Sequence, residues 1–187
     1  MVKDNTSSAL LVLSTLVLLL LLTPMVASEA TRETQTKIDS ICRSNEDYGF
    51  CNKVFQADIQ QPDMDYVGLT KITIMEARKN ASNTLGFIRA QIPGVKDESE
   101  LNYYKVCENA YLTIKQSFDQ AFDAFIKGDY TLMASDQRIT PRVQANCVTI
   151  FTMSSVSENP LGSLNERNRE MRILITMAII TASFIVP

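Results

Sequence analysis

LNYYKVCENAYLTIKQSFDQAFDAFIK, residues 101–127, is the stretch that determines the fold class. Along it, aromatic residues recur at every seventh position, and smaller apolar residues fill the alternate positions of one helix face: Tyr104, Tyr111, Phe118 and Phe125, with Cys107, Ile114 and Ala121 between them. This is the a/d pattern of a helix that packs in a bundle. The helix would be about 40 Å long at 1.5 Å per residue. Gly128 supplies a left-handed stop, and Asp129 supplies the cap of the next helix.

Three further long helices are predicted around this one. The first runs from a cap at Asp63 or Asp65 to the breaker Ile92-Pro93-Gly94, with Val67, Ile74, Ala81 and Ile88 at heptad spacing. Another spans 130–151, with a break near Thr140 because Pro141 disfavours helix before it. The last carries Leu164, Met171, Ala178 and Ile185. Short links between four helices and no strand pattern predict an all-α, up-down-up-down four-helix bundle.

The first 28 residues have the pattern of a secretory signal peptide. Lys3 precedes an apolar run over 9–22, and the small residues Ala27 and Ser28 lie where a cleavage site is expected. The run is shorter than the about 20 residues of a membrane span, although a signal anchor stays open as an alternative. Residues 29–37 are polar and are expected to be flexible, so the predicted domain is 38–187.

The four cysteines Cys42, Cys51, Cys107 and Cys147 all lie in the predicted mature chain. An even number in an exported protein indicates disulfides, and zinc is the competing interpretation. A helical hairpin over 38–60 would let Cys42 meet Cys51. Cys107 and Cys147 lie 21 residues before and 19 residues after Gly128, at similar heights on antiparallel helices. The predicted pairs are therefore Cys42–Cys51 and Cys107–Cys147, which the loop-entropy model values at about 3 and 4 kcal/mol.

Composition argues against an enzyme and against several partners. Removal of Lys3 and Asp4 with the signal reduces 18 basic and 21 acidic residues to 17 and 20, so the net charge stays at −3. No basic stripe suits nucleic acid, because Arg167, Arg169 and Arg172 alternate with Glu166 and Glu170 in the pattern of a solvated helix face. The chain has no histidine, so neither a Ser-His nor a Cys-His pair is available. We expect no catalytic residue, no cofactor and no metal site.

Two sequence features point to modification or anchoring. Asn80-Ala81-Ser82 is a glycosylation sequon, and Asn80 would be turned away from the core if Ala81 faces it. The apolar tail 173–187 has the composition of a lipid-anchor signal, which is the alternative to a bundle helix. Because the apolar stripe continues back through Met171 to Leu164, we favour the helix and expect no stable membrane association.

Several segments together resemble the plant invertase/pectin methylesterase inhibitor family. The near pair Cys42 and Cys51 follows a signal peptide, and the similarity extends over about 38–185. The other matching pieces are Gly68-Leu69 to Phe87-Ile88, Cys107 with Glu108 to Tyr111, Lys127-Gly128-Asp129-Tyr130, Cys147 with Ile150-Phe151, and Glu166-Arg167-Asn168-Arg169 leading into Leu174 to Ile180. The resemblance implies the same bundle and disulfides, and one-to-one binding that blocks the substrate cleft of a cell-wall enzyme.

The target that the resemblance implies is pectin methylesterase or acid invertase. In the invertase branch of the family, a Pro-Lys-Phe tripeptide after the second bundle helix reaches into the target. This chain has Tyr130, Thr131 and Leu132 there, which favours pectin methylesterase as the target and makes these three residues the candidate partner contacts. A bundle that carries a ligand, or one that is structural, is the competing hypothesis. A carrier should enclose a cavity along Tyr104, Tyr111 and Phe118, whereas an inhibitor should pack that face densely.

Overall fold

The computed structural model describes residues 29–152 and 162–186, so the signal peptide predicted for 1–28 lies outside the described residues. Within those ranges the secondary structure is helical, without strands. The helices are α1 (Arg32–Cys42), α2 (Tyr48–Asp58), α3 (Tyr66–Gln91), α4 (Glu98–Ile126), α5 (Tyr130–Gln137), α6 (Thr140–Thr152) and α7 (Gly162–Ser183), with one turn of 3₁₀-helix at Ile92–Gly94 after α3. Over the described ranges, no helix combines the length and the apolar character that a membrane crossing requires.

The four-helix bundle is formed by α3, α4, the broken pair α5–α6, and α7. Helix α3 packs against α4 and α7, and the α5–α6 pair packs against the same two helices. The aromatic stripe of α4 lies in the core at Tyr104, Tyr111 and Phe118, which are at most 1% exposed. Its fourth member, Phe125, is half-buried and packs against Tyr130 with ring centroids 5.7 Å apart. The predicted all-α bundle is confirmed.

Glycine and proline end the elements where the sequence predicts a change of direction. Gly128 has a φ of 75°, the left-handed conformation that a helix stop requires. Helix α5 ends at Gln137, and α6 begins at Thr140 with Pro141 in its first turn, where a missing N–H costs no helical hydrogen bond. The third long helix is therefore two helices.

The start of α1 corrects the expectation that 29–37 is flexible. Thr31 caps the helix, because its side chain accepts a hydrogen bond from the backbone N–H of Thr34 at 3.2 Å. Thr34 is buried, and its hydroxyl accepts from the backbone N–H of Met64 at 2.9 Å. Lys37 pairs with Glu33 one turn away. The hairpin thus begins at Arg32, because polar side chains find partners there that composition does not reveal.

Two disulfides link the helices in the pairs that the sequence predicts. Cys42–Cys51 closes the hairpin of α1 and α2, and Cys107–Cys147 joins α4 to α6. All four cysteines are fully buried. Covalent links of this kind restrict the unfolded chain, which stabilises the fold.

Candidate partner-binding surface

The α4–α5 tip, residues 126–132, places the predicted contact residues at the turn between two helices. Asp129 caps α5, because its side chain accepts from the backbone N–H of Leu132 at 2.9 Å. Leu132 is 49% exposed, and Ile126 across the turn is 62% exposed. Thr131 is also exposed, whereas Tyr130 is half-buried against Phe125. The structure therefore presents Thr131 and Leu132 at the surface and uses Tyr130 to support the turn.

The charge of the tip is low, and its shape is fixed. Lys127 and Asp129 are its two charged residues, and the Asp129 carboxylate is engaged in the helix cap. The pKa of the nearby Asp136 is raised, first by burial and then by the negative charge of Asp129. Ile126, which the sequence pattern did not single out, belongs to the same exposed apolar surface. The signal that could have found it is its position one residue after Phe125, off the heptad stripe.

Two arginines on α7 hold the hairpin against the bundle. Arg169 pairs with Asp47, and Arg172 forms a two-pronged ion pair with Glu46 at 2.9 and 2.7 Å. The backbone N–H of Phe50 lowers the pKa of Asp47, and Arg169 lowers it further. The local pair of Arg169 with Glu166 predicted from spacing is also present, at 3.1 Å. Arg169 and Arg172 are partly exposed, as predicted for a solvated face, but they also link α7 to the turn between α1 and α2, which the sequence pattern did not predict.

A buried polar network crosses the middle of the bundle. The Tyr111 hydroxyl donates to Oδ1 of Asn168 at 2.8 Å, and Nε2 of Gln144 donates to the backbone carbonyl of Asn168 at 3.0 Å. Burial raises the pKa of Tyr111, so its hydroxyl stays protonated as a donor. Tyr104, Tyr111 and Phe118 are at most 1% exposed, so their side chains are packed as core residues. Dense packing of these three side chains is what the inhibitor hypothesis expects.

The sequon residue Asn80 lies apart from the tip, on α3 beside α7. Ala81 is fully buried as expected, but Asn80 is only half-exposed, because its Nδ2 donates to Oε2 of Glu170 on α7 at 3.1 Å. Asn80 is thus less buried than Ala81, but its side chain is engaged by Glu170. Its glycosylation stays a prediction.

Metal-ligating side chains do not converge in the part of the chain that the structure describes. No group of three or more cysteines and carboxylates is placed there to hold a metal ion. The four cysteines are consumed in disulfides. The arrangement offers surfaces and a rigid scaffold for binding.

Comparisons with known proteins agree with this geometry. The chain is 29% identical over 123 residues to an Arabidopsis thaliana protein named cell wall / vacuolar inhibitor of fructosidase 2, an alignment covering 59% of this chain and 68% of that protein. The fold matches the crystal structure of a mutant form of a pectin methylesterase inhibitor from Arabidopsis, with a TM-score of 0.70 and 18% identity. Another crystal structure, of a pectin methylesterase inhibitor from Arabidopsis thaliana, matches with a TM-score of 0.61 and 17% identity. Both matches cover 81% of this chain and 97% of the other.

The family model of plant invertase/pectin methylesterase inhibitors matches residues 36–179, which include both disulfides, the α4–α5 tip and most of α7. That span is the greater part of the chain. The chain therefore belongs to the plant invertase/pectin methylesterase inhibitor family, a family of enzyme inhibitors rather than enzymes.

Proposed function

We propose that this inhibitor is secreted to the cell wall, binds pectin methylesterase one-to-one and blocks its substrate cleft. The observation that carries the choice of target is the chemistry of the α4–α5 tip. Thr131, exposed and uncharged, stands where the invertase branch has lysine. Glycosidases work with a pair of carboxyl groups, which a lysine would attract and a threonine would not. The tip therefore lacks the charge that suits an invertase active site.

The electrostatics of the whole chain fit the same target. Pectin is a partly esterified polyuronate, so we expect the cleft that binds it to have a positive potential. The chain has a net charge of −3, which is complementary to such a cleft. Complementary charge raises the association rate more than the final affinity.

Inhibition of this kind needs no reactive side chain. The Asp129 cap and the packing of Tyr130 against Phe125 fix the tip before binding, so little side-chain ordering opposes association. We expect an interface of standard size, about 1,600 Å² in total. Ile126 and Leu132 would supply apolar contacts at its centre.

A second target follows from the fructosidase inhibitor to which this chain is 29% identical. If the tip is not the main contact, inhibition of acid invertase through another face of the bundle is the alternative function. The two targets differ in substrate, so direct assays separate them.

The test is to titrate purified pectin methylesterase and acid invertase with the oxidised mature protein and with two matched variants. Leu132→Glu alters the tip, and Ile139→Glu alters an equally exposed residue, also 49%, between α5 and α6. We expect stoichiometric loss of pectin methylesterase activity. Because Leu132→Glu would bury an unpaired charge at the interface, it should weaken inhibition by at least about 10-fold. Ile139→Glu should change inhibition by less than about 2-fold.

Three results would contradict the proposal. Loss of invertase activity alone would assign the second target. An equal loss of inhibition in Leu132→Glu and Ile139→Glu would show that the tip does not contact the enzyme. No loss of either activity, with a helical and oxidised sample, would refute inhibition of these enzymes.

Secretion has its own test. The protein recovered from the medium of expressing plant cells should begin near Glu29, as N-terminal sequencing would show. Retention of residues 1–28 in a membrane fraction would support the signal anchor instead.

A further inference from the structure

A cleft of about 420 Å³ lies between α5 and α7, away from the proposed partner surface. Its walls are mainly apolar, from Ala134 on α5 and Ile179, Ala182 and Val186 at the end of the chain, and Arg138 lies at its edge. At 100° per residue, the α5 residues that line it face the opposite side of the helix from Leu132. The cleft is therefore distinct from the α4–α5 tip.

Gln137 lines this cleft and has unsatisfied polar atoms. The residue is 1% exposed, and neither Nε2 nor Oε1 of its side chain has a hydrogen-bond partner. The hydroxyl of Thr140 donates to the backbone carbonyl of Gln137 at 2.8 Å, not to its side chain. Buried side-chain amides are normally paired, so this one requires an explanation. The terminal torsion of glutamine is soft, so this amide can adapt its orientation to a partner in the cleft that the residue lines.

We propose that this cleft binds a small apolar molecule that ends in a carboxamide group. The Gln137 amide offers two donors and an acceptor side by side, and a carboxamide presents the reciprocal edge. The apolar walls suit a hydrocarbon body, and the volume lies at the lower end of the range for small-molecule sites. Arg138 also lines the cleft and adds a guanidinium donor for the ligand carbonyl.

The carboxamide is favoured over a carboxylic acid by the same geometry. An ionised carboxylate has only acceptors, so one of its oxygens would face Oε1 of Gln137 without a proton between them. Attraction by Arg138 would be offset by this contact. A hydrocarbon without a polar end would leave both atoms of the Gln137 amide unpaired, as they are in the free protein.

The experiment is an NMR titration of the oxidised mature protein, labelled with ¹⁵N, using benzamide, toluene and benzoate as probes. The Gln137 side-chain signals are assigned by their absence in Gln137→Met, which keeps the length of the side chain and removes its polar atoms. Gln120→Met, at an exposed position on α4, is the matched control. We expect benzamide to shift the Gln137 signals saturably and to bind about 10-fold more tightly than toluene, the effect of one or two added hydrogen bonds. Gln137→Met should abolish that preference, and Gln120→Met should retain it.

Any of three outcomes would overturn the assignment. These are no saturable shift with benzamide, binding of ionised benzoate as tight as that of benzamide, or an unchanged preference in Gln137→Met. If Gln137→Met does not fold, Ala134→Leu narrows the cleft from the side, and undiminished benzamide binding to that variant would equally refute the site.

Discussion

Two tyrosines on α4 are equally buried, but only one of their hydroxyl groups is hydrogen-bonded. Tyr104 and Tyr111 lie two turns apart on the same buried face, and both are at most 1% exposed. The hydroxyl of Tyr111 donates to Asn168, whereas the hydroxyl of Tyr104 has no partner. A buried polar group stabilises a protein only when it is paired. Removing one oxygen atom should therefore have a different effect at each site.

We predict that Tyr111→Phe lowers the free energy of unfolding by about 1–3 kcal/mol, since it leaves Oδ1 of Asn168 buried without its donor. Tyr104→Phe should leave stability unchanged or raise it by up to about 1 kcal/mol, because it removes an unpaired group. Urea denaturation at pH 7, followed by helical circular dichroism, compares the two directly. Equal losses from both variants would show that the Tyr104 hydroxyl is paired in solution.

Residue-level prediction from the sequence succeeded for apolar positions and failed for polar ones. Heptad spacing identified Tyr104, Tyr111 and Phe118 as core residues, because burial of an apolar face follows helical periodicity. The same spacing puts Asn168 and Gln137 on buried helix faces, but it does not say which groups their polar side chains meet. Their environment is determined by side chains on other helices, which a one-dimensional pattern does not contain.

The two disulfides act on different elements. Cys42–Cys51 spans 9 residues and closes only the hairpin, whereas Cys107–Cys147 spans 40 residues and ties α4 to α6. A longer closed loop removes more entropy from the unfolded chain. The hairpin is also held by the ion pairs of Arg169 and Arg172.

We expect a paired Cys107→Ala and Cys147→Ala replacement to cost about 4 kcal/mol and to lower amide protection throughout the bundle. The corresponding replacement of Cys42 and Cys51 should cost about 3 kcal/mol or less and should expose mainly the amides of α1 and α2. Hydrogen exchange read by mass spectrometry gives both answers in one experiment. Loss of protection in the bundle but not in the hairpin, on removing Cys42–Cys51, would contradict this division.

Element boundaries could be predicted where a single residue determines them. Gly128 predicted the end of α4, and Pro141 predicted the break between α5 and α6, each to within a few residues. Each of these residues has a conformational preference of its own. The caps predicted at Asp65 and Asp129 are present, whereas the starts of α1 and α4 were placed too late. Helix α4 begins at Glu98, not Leu101, because Asp97 caps it through the backbone N–H of Glu100 at 2.8 Å. Helix α1 likewise begins at a polar cap, before the first apolar residue.

At the scale of the whole molecule, the hairpin and the bundle are joined by contacts between distant parts of the chain. The bundle follows from the number of amphipathic helices and the short links between them. The side of the bundle against which the hairpin packs cannot be derived in this way. It depends on ion pairs of Glu46 and Asp47 with cations more than 120 residues later in the chain. The position of the tip followed from the family resemblance, and its exposed apolar character from packing alone.

The acid response of the whole molecule follows from its carboxyl groups. Among the carboxyl groups of the described residues, four have pKa values below the usual range: Glu33, Asp39, Asp47 and Asp119. Glu33 owes this to Lys37, and Asp39 to hydrogen bonds from Tyr48 and then Gln35. Burial alone would raise the pKa of Asp119, but hydrogen bonds and charges from Lys115 and Arg78 together outweigh it. Two others, Asp58 and Asp136, have raised pKa values, in each case first because of burial.

A carboxyl group with a lowered pKa stabilises the fold above its unfolded value and loses that contribution as the pH falls through the folded value. The unfolded values are 3.8 for aspartate and 4.5 for glutamate, so these four contributions disappear below about pH 4. A group with a raised pKa acts in the opposite sense, and its contribution is lost as the pH rises above 3.8 through the folded value. With four groups against two, we predict that Tm falls steeply below about pH 4.

Between about pH 5.5 and 7.5 the prediction is a nearly constant Tm, because the chain has no histidine to titrate there. Thermal unfolding from pH 3 to 7.5 at constant ionic strength measures both limbs. Asp119→Asn serves as the control, because it removes the ion pairs of Asp119 with Arg78 and Lys115. The variant should have a lower Tm than the wild type at pH 7, and its Tm should fall less on acidification. A sharp change of Tm between pH 6 and 7.5 would contradict the assignment of the pH dependence to carboxyl groups. If Tm is constant there but binding to the target changes, the titrating group belongs to the enzyme or to carboxyl groups at the interface, and not to the stability of the inhibitor.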